Sequence, residues 1–294
     1  MTTTPRRILA ATDFSETAER AQRAALGLAR AFGAELHILH VQVLHDDLHL
    51  DEEHHMQIQR LLETAEGHKR QALETPAENR EIEIHTHLVR GLSAAEVISE
   101  TCGDLGCDLI VMGTHGRRGL GHLFLGSVTE NVVRSAPTPV LTVRPDARLP
   151  EDGVSRILVP HDFSEQSAEA VRHAGAWALP FDAEVTLLHV VEPVVYPEFY
   201  SVDLLPDEMR GQIKERSMEA LKTAANELLP GVTTQVEVVV GRASERIVDA
   251  AAPDRYDLVV MGTRGLSVVE HLLMGSVAEN VLRRCELPLL AVRS

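Results

Sequence analysis

The stretch RILAATDFSE at residues 7–16 decides the fold, because it reads as a buried strand that runs into the start of a helix. It returns as RILVPHDFSE at residues 156–165, so that 149 residues separate Asp13 from Asp162. The same separation relates three further matched segments: LHV at 39–41 and 188–190, VMGT at 111–114 and 260–263, and GSV at 126–128 and 275–277. A constant separation over most of the chain indicates two copies of one domain.

The two copies are predicted to occupy residues 1–145 and 154–294, joined by a polar, proline-containing linker at residues 146–153. A length of 294 residues suits two domains of ordinary size. The sequence shows no signal-peptide pattern and no apolar run long enough for a membrane span. We therefore expect a cytoplasmic protein.

The charge balance excludes two classes of partner. The chain has 28 Lys and Arg against 44 Asp and Glu, a formal net charge of −16. Phosphate backbones and anionic membrane surfaces both attract clustered positive charge. The sequence therefore predicts neither a general nucleic-acid binder nor a peripheral membrane protein.

Strands and helices alternate along each copy. In the first copy a helix begins at Ser15, further helices are predicted at Ala94–Leu105 and Ser127–Ser135, and a charged helical segment runs from about Asp51 to Leu73. The predicted strands are Ile8–Thr12, Leu36–Val43, Ile82–Val89, Leu109–Met112 and Val140–Val143. This order favours an α/β fold in which each copy forms a doubly wound, five-stranded parallel sheet.

A glycine pattern follows the fourth strand of each copy. In the first copy, GTHG at residues 113–116 is followed by nine residues and then by Gly126-Ser127; in the second, GTRG at 262–265 is followed by nine residues and Gly275-Ser276. Glycines after a parallel strand let backbone N–H groups approach an anion, and a helix N-terminus adds its positive dipole end. The pattern is typical of phosphate binding. The alternative is that the glycines only form turns and the serines only cap helices.

These residues resemble the ATP-binding subgroup of the universal stress protein family. The resemblance rests on the Gly-x-x-Gly-x9-Gly-Ser spacing, on the Asp that closes the first strand, and on the Val-Arg ending of each copy, and it covers nearly the whole chain. It implies a tandem protein with the adenine nucleotide alpha hydrolase-like fold, and a nucleotide bound across the ends of the first, second and fourth strands. The implied cofactor is ATP with Mg²⁺.

The resemblance also implies the binding residues. The Asp and the backbone of a second-strand Val hold the nucleoside, and the glycine loops and helix starts line the ribose and the phosphates. In the first copy these are Asp13, Val41, Met112, Gly113, Gly116, Gly126, Ser127 and Val128, with His115 and Arg117 as basic loop residues. In the second copy they are Asp162, Val190, Met261, Gly262, Gly265, Gly275, Ser276 and Val277, with Arg264. The unequal basic residues leave open whether both sites are occupied.

The expected function is ATP binding by a stress-response regulator, with slow hydrolysis or self-phosphorylation at most. One alternative is an ATP-dependent nucleotidyl- or phospho-transferase, and another is a structural protein with a single occupied site. We assign no catalytic residue and no metal ligand from the sequence. Family resemblance further implies a homodimer, or an intrachain pseudo-dimer that pairs Val140–Val143 with Leu289–Val292.

Other residues that could carry chemistry have simpler interpretations. Cys102 and Cys107 are expected to be ordinary reduced cysteines, and Ser15 and Ser164 helix caps. His40 and His189 are expected to be core histidines bonded to backbone. A charged segment that contains His45, His49, His54 and His55 is expected to be a solvated connection that binds nickel or zinc only adventitiously.

Overall fold

The computed structural model describes residues 3–43, 56, 60, 63, 82–114, 125–147, 149, 153–192, 207–265 and 274–293. The chain divides into two compact units, Met1–Gly153 and Val154–Ser294. Some predictions fall outside the described residues: those on the loop residues His115, Gly116 and Arg117, on the histidines at 45, 49, 54 and 55, and on most of the charged segment at 51–73.

The first unit is a five-stranded parallel sheet. Its strand order is β3-β2-β1-β4-β5, and every pairing is parallel. The strands are β1 (Arg7–Thr12), β2 (Glu35–Val43), β3 (Ile84–Gly91), β4 (Leu109–Gly113) and β5 (Val140–Val143). The described helices are α1 (Glu16–Phe32), α2 (Ala94–Leu105) and α3 (Ser127–Ser135). This confirms the predicted α/β class and the five strands.

The second unit repeats this architecture with the order β8-β7-β6-β9-β10, again all parallel. The strands are β6 (Arg156–Pro160), β7 (Glu184–Val191), β8 (Thr234–Val240), β9 (Leu258–Gly262) and β10 (Leu289–Val292). The described helices are α4 (Glu165–Ala178), α5 (Asp207–Leu228), α6 (Ala243–Ala250) and α7 (Ser276–Arg284), and a 3₁₀ turn lies at Leu179–Phe181.

The central strands are buried on both faces, as apolar runs in a parallel sheet require. Ile8, Leu9 and Ala10 of β1 are fully buried, and so are Ile157, Leu158 and Val159 of β6. Trp177 of α4, the one tryptophan in the chain, is 1% exposed. Its fluorescence is therefore a probe of the folding of the second unit.

The third strand differs from its predicted bounds. It runs over Ile84–Gly91 and not over Ile82–Val89. Its pairing with β2 explains the shift, because Leu36 pairs with Ile84 and Val43 with Gly91. None of the described helices has the length and apolarity needed to cross a membrane.

Candidate functional site

The strand order reverses between β1 and β4 in the first unit and between β6 and β9 in the second. Ligands of doubly wound folds bind beyond the carboxyl ends of the strands at such a point, because the connecting loops diverge there and leave a crevice. Asp13 directly follows β1, and His161 and Asp162 directly follow β6. The geometry therefore places both aspartates at the reversal point of their unit.

A cleft opens at this point in the second unit. It is lined by the ends of β6, β7 and β9 and by the first turns of α6 and α7. All nine residues predicted for the second copy line it: Asp162, Val190, Met261, Gly262, Arg264, Gly265, Gly275, Ser276 and Val277. The structure thus brings these residues together, while their role as nucleotide ligands stays a prediction.

The first turn of α7 leaves backbone N–H groups at the cleft. Gly275 is the N-cap and provides no side-chain hydrogen bond, and the first intrahelical bond runs from Glu279 N–H to the Gly275 carbonyl at 3.0 Å. The N–H groups of Ser276, Val277 and Ala278 precede that bond and so have no acceptor within the helix. All three residues line the cleft, which makes this turn suited to an anion.

The neighbouring helices α4 and α6 differ from α7 in the hydrogen bonds at their N-termini. Ser164 caps α4 by accepting a hydrogen bond from Ser167 N–H at 3.1 Å. At the start of α6, Ala243 N–H donates to the Glu192 carboxylate at 2.6 Å. One N–H group in the first turn of α4 and one in that of α6 therefore bond to side-chain oxygen atoms of the chain, whereas α7 has no side-chain cap among the described residues.

Gly265 lies directly against the carboxylate of Asp162. A Cβ atom built on Gly265 would collide with Asp162 Oδ2, so that only glycine permits this approach. The other oxygen, Oδ1, accepts hydrogen bonds from the backbone N–H of Ser164 at 3.1 Å and from its hydroxyl. The carboxylate is therefore oriented by hydrogen bonds from the start of α4, and its other oxygen lies against the glycine loop.

The first unit builds the same scaffold from its own residues. Asp13 Oδ1 accepts from Ser15 N–H at 3.0 Å, Gly126 is an N-cap without a side-chain bond, and Gly126 N–H donates to the Thr114 carbonyl at 2.7 Å. Gly113 packs against α1, where a Cβ would come within 2.8 Å of the Thr17 methyl group. The remaining described residues predicted for this copy belong to β2, β4 and α3: Val41, Met112, Ser127 and Val128.

Two histidines of the cleft were not predicted as site residues. Nδ1 of His189 donates to the His161 carbonyl at 2.8 Å, just as Nδ1 of His40 donates to the Thr12 carbonyl at 2.7 Å in the first unit. This confirms that His40 and His189 bond to backbone. His161 itself is buried, and the first copy has Thr12 in its place, so the repeat gave no signal for it.

His161 makes the stability of the second unit depend on pH. Burial lowers the pKa of His161; the Asp162 carboxylate raises it in part, and His189 lowers it further. The unfolded chain then binds a proton more readily than the folded one. The contribution of His161 to the free energy of unfolding is therefore fully present above its unfolded pKa of about 6.5 and is lost as the pH falls below that value.

The first copy has Thr at this position. We therefore expect that in His161→Thr the free energy of unfolding falls less than in wild type between about pH 7 and pH 5. Urea unfolding followed by Trp177 fluorescence measures this in the second unit. An equally steep pH dependence in wild type and variant would show that His161 is not the titrating group.

The predicted caps and cysteines are confirmed. Ser15 accepts from Ala18 N–H at 3.2 Å, as expected of a helix cap. Cys102, Cys107 and Cys285 are buried thiols that form no disulfide. Burial raises the pKa of Cys102 and that of Cys107, the latter to about 12, so these thiols are protonated and unreactive at neutral pH.

Comparison with known proteins agrees with this architecture. A profile of the universal stress protein family matches residues 4–144 and again residues 153–293. The chain belongs to the universal stress protein family. Its two matched segments make it a tandem member, as the repeat predicted.

Two relatives each match about half of the chain. Universal stress protein MJ0531 of Methanocaldococcus jannaschii is 38% identical over 149 residues, 49% of this chain and 84% of that protein. A universal stress protein of Thermus aquaticus is 37% identical over 138 residues, 47% of this chain and 97% of that protein. The crystal structure of a universal stress protein from Archaeoglobus fulgidus shares the fold, with a TM-score of 0.71 at 19% identity over 98% of both chains.

Proposed function

We propose that this universal stress protein binds ATP with Mg²⁺ at the carboxyl ends of its parallel strands and acts as a cytoplasmic regulator. The observation that supports this best is the uncapped first turn of α7, which opens onto the same cleft as Asp162 and Arg264. The first unit has the same uncapped turn at α3 and the same aspartate at Asp13. We extend the proposal to that unit for this reason.

The parts of the cleft suit the parts of a nucleotide. The phosphates would accept hydrogen bonds from the first N–H groups of α7, with the positive charge of Arg264 beside them. Arg264 Nε is buried without a hydrogen-bond partner among the described residues, and a phosphate oxygen would satisfy it. The ribose hydroxyls would donate to Asp162, and the backbone of Val190 would lie against the base.

The cleft also fits a magnesium ion that arrives with the phosphates. Mg²⁺ is usually held by one or two carboxylates together with phosphate oxygens and water. Asp162 is the carboxylate among the described residues that line the cleft, and because its oxygens would already accept from Ser164 and the ribose, it would hold the ion through water molecules. Bound there, Mg²⁺ would neutralise phosphate charge, which an acidic protein with a net charge of −16 otherwise repels.

A regulatory role distinguishes this proposal from a transferase. Transfer at enzymatic rates requires a group that activates the nucleophile beside the transferred phosphate. His189 Nδ1 is bonded to backbone, His161, the other histidine of the cleft, is buried, and no lysine lines the described part of the cleft. A steady-state turnover of several ATP per second would favour the transferase instead. Homodimer formation stays a prediction.

Thermal unfolding of the whole chain tests the binding proposal. A ligand that binds only the folded state at 100 times its Kd stabilises that state by about 2.7 kcal/mol. We therefore expect Mg-ATP to raise the Tm recorded by Trp177 fluorescence, while MgCl₂ with inorganic phosphate gives a smaller shift. An unchanged Tm at millimolar Mg-ATP would contradict the proposal for the second unit.

A further inference from the structure

A cluster of histidines lies in the first unit at the opposite end of the strands from Asp13. His37 near the start of β2 pairs directly with His85 near the start of β3, and Glu35 precedes His37 by two residues on the same face. His87 follows His85 by two residues, also on that face. Four side chains with metal-ligating atoms therefore share one corner of the sheet.

The spacing of these atoms suits a metal ion. One donor atom from each of Glu35, His37 and His85 lies within 4.8 Å of the other two, and Glu35 Oε2 is 3.5 Å from His37 Nε2. Tetrahedral zinc with bonds of about 2.0–2.1 Å holds its ligand atoms about 3.3 Å apart. The His85 side chain is 46% exposed and can rotate to close the remaining gap.

His37 presents a buried nitrogen towards this space. The residue is 6% exposed, and its Nε2 atom makes no well-formed hydrogen bond among the described residues, since Glu35 Oε2, 3.5 Å away, lacks the geometry for one. A buried polar atom without a partner is costly, and a metal ion would provide one.

His87 holds the ring of His37 from the other side. Nδ1 of His37 lies 3.0 Å from Nε2 of His87, so a proton on Nδ1 can be donated to His87 and leave Nε2 as the metal ligand. A hydrogen bond of this kind orients most metal-bound histidines.

Glu35 can exchange its present partner for a metal. Its Oε2 atom forms an ion pair with Arg7 Nε at 2.8 Å, with both side chains well exposed. Exposed ion pairs contribute about 0–1 kcal/mol, so giving up this one costs little. Glu83 Oε2 lies 3.6 Å from His85 Nε2, where it or a water molecule could complete the coordination.

The second unit lacks the cluster. Thr186 pairs with Gln235 in β7 and β8 as His37 pairs with His85, and Glu237 stands in the place of His87. Only the carboxylate is retained, as Glu184. The fold alone therefore does not require these histidines, and the difference predicts one site per chain.

We propose that Glu35, His37 and His85 bind one divalent transition-metal ion, with Zn²⁺ as the best fit and His87 as the residue that positions His37. Imidazole and carboxylate ligands suit zinc, cobalt, nickel and copper, and a set of two histidines and one glutamate occurs in zinc sites with an open position. This site is independent of the proposed nucleotide clefts, because it lies at the opposite end of the strands.

Calorimetric titration of the EDTA-treated, nucleotide-free whole chain with ZnCl₂ tests the site, and the visible absorption of bound Co²⁺ reports its geometry. We expect one tight Zn²⁺ per chain. His87→Gln should weaken binding by about 10- to 100-fold, as loss of an orienting partner does. His85→Gln, which introduces the second-copy residue at an exposed position, should weaken it further.

A variant of the other histidines is the control. His45, His49, His54 and His55 replaced together by Ala should leave one tight Zn²⁺ in place, with tetrahedral Co²⁺ absorption unchanged. Circular dichroism checks that each variant is folded. Equal zinc affinity in wild type and His85→Gln, or loss of binding only in the fourfold variant, would overturn the proposal.

Discussion

Replacing Gly265 with Ala is expected to weaken ATP binding at the second unit while leaving the fold intact. The new Cβ would lie too close to Asp162 Oδ2, and the carboxylate would have to move because it is the far end of a flexible side chain. A displaced carboxylate loses at least one charge-assisted hydrogen bond, worth about 1.5–3 kcal/mol. This corresponds to an affinity about 10- to 100-fold lower.

The measurement is a titration with Mg-ATP in an Asp13→Ala background, so that the remaining heat comes from the second unit. Gly211→Ala is the matched control, since a Cβ at Gly211 meets no atom within 4 Å and Ala favours the helix. Gly211→Ala should bind as its parent does. Equal affinity in Gly265→Ala and Gly211→Ala would show that the approach of loop and carboxylate has no part in binding.

Replacing Asp162 with Ala should have a larger effect. If the carboxylate accepts both ribose hydroxyls, its removal takes away two charge-assisted hydrogen bonds, each worth about 1.5–3 kcal/mol. We therefore expect affinity at the second unit to fall by at least about 100-fold. Combined with Asp13→Ala, the change should abolish saturable ATP binding by the chain.

Asp162→Asn separates binding from folding. Asp162 Oδ1 accepts from Ser164 N–H at the start of α4, and loss of this bond alone would cost about 1 kcal/mol of stability. Asn retains an oxygen for Ser164 but lacks the charge. We expect Asp162→Asn to unfold like wild type by Trp177 fluorescence and still to bind ATP weakly. Wild-type affinity in both variants would remove Asp162 from the site.

Much of the fold could be predicted from the sequence because its signals are local. A fully apolar run such as Ile8–Thr12 reads as a buried parallel strand, and a serine before a helical pattern reads as a cap. The bounds of β3 could not be predicted in the same way. They are set by pairing with β2, and the alternating Ile82–Val89 stretch does not show which residues find partners there.

The residues of the candidate site likewise fall into those with a local sequence signal and those without one. The glycines, Asp162 and Ser276 are detectable because their spacing occurs twice and their chemistry is local. His161 is not, since its place in the cleft depends on the end of β6 and its counterpart is Thr12. His37 and His85 are separated by 48 residues in sequence and meet only through strand register, so no spacing rule could pair them.

The repeat also shows where the two copies differ in detail. Thr129 of α3 donates its hydroxyl to the Gly113 carbonyl at 2.8 Å, whereas the second copy has Ala278 at that position. The two units thus share the scaffold of the proposed phosphate site, and its surroundings differ. Unequal affinities of the two units for ATP are therefore compatible with the structure, and the single-aspartate variants would resolve them.

Isothermal titration of the wild-type chain with Mg-ATP tests the central claim most directly. It should be performed at two temperatures, because a binding enthalpy that vanishes at one temperature does not vanish at another when apolar surface is buried. We predict saturable heat with at least one ATP per chain. No saturable heat at either temperature, from protein that Trp177 fluorescence and circular dichroism show to be folded, would contradict nucleotide binding.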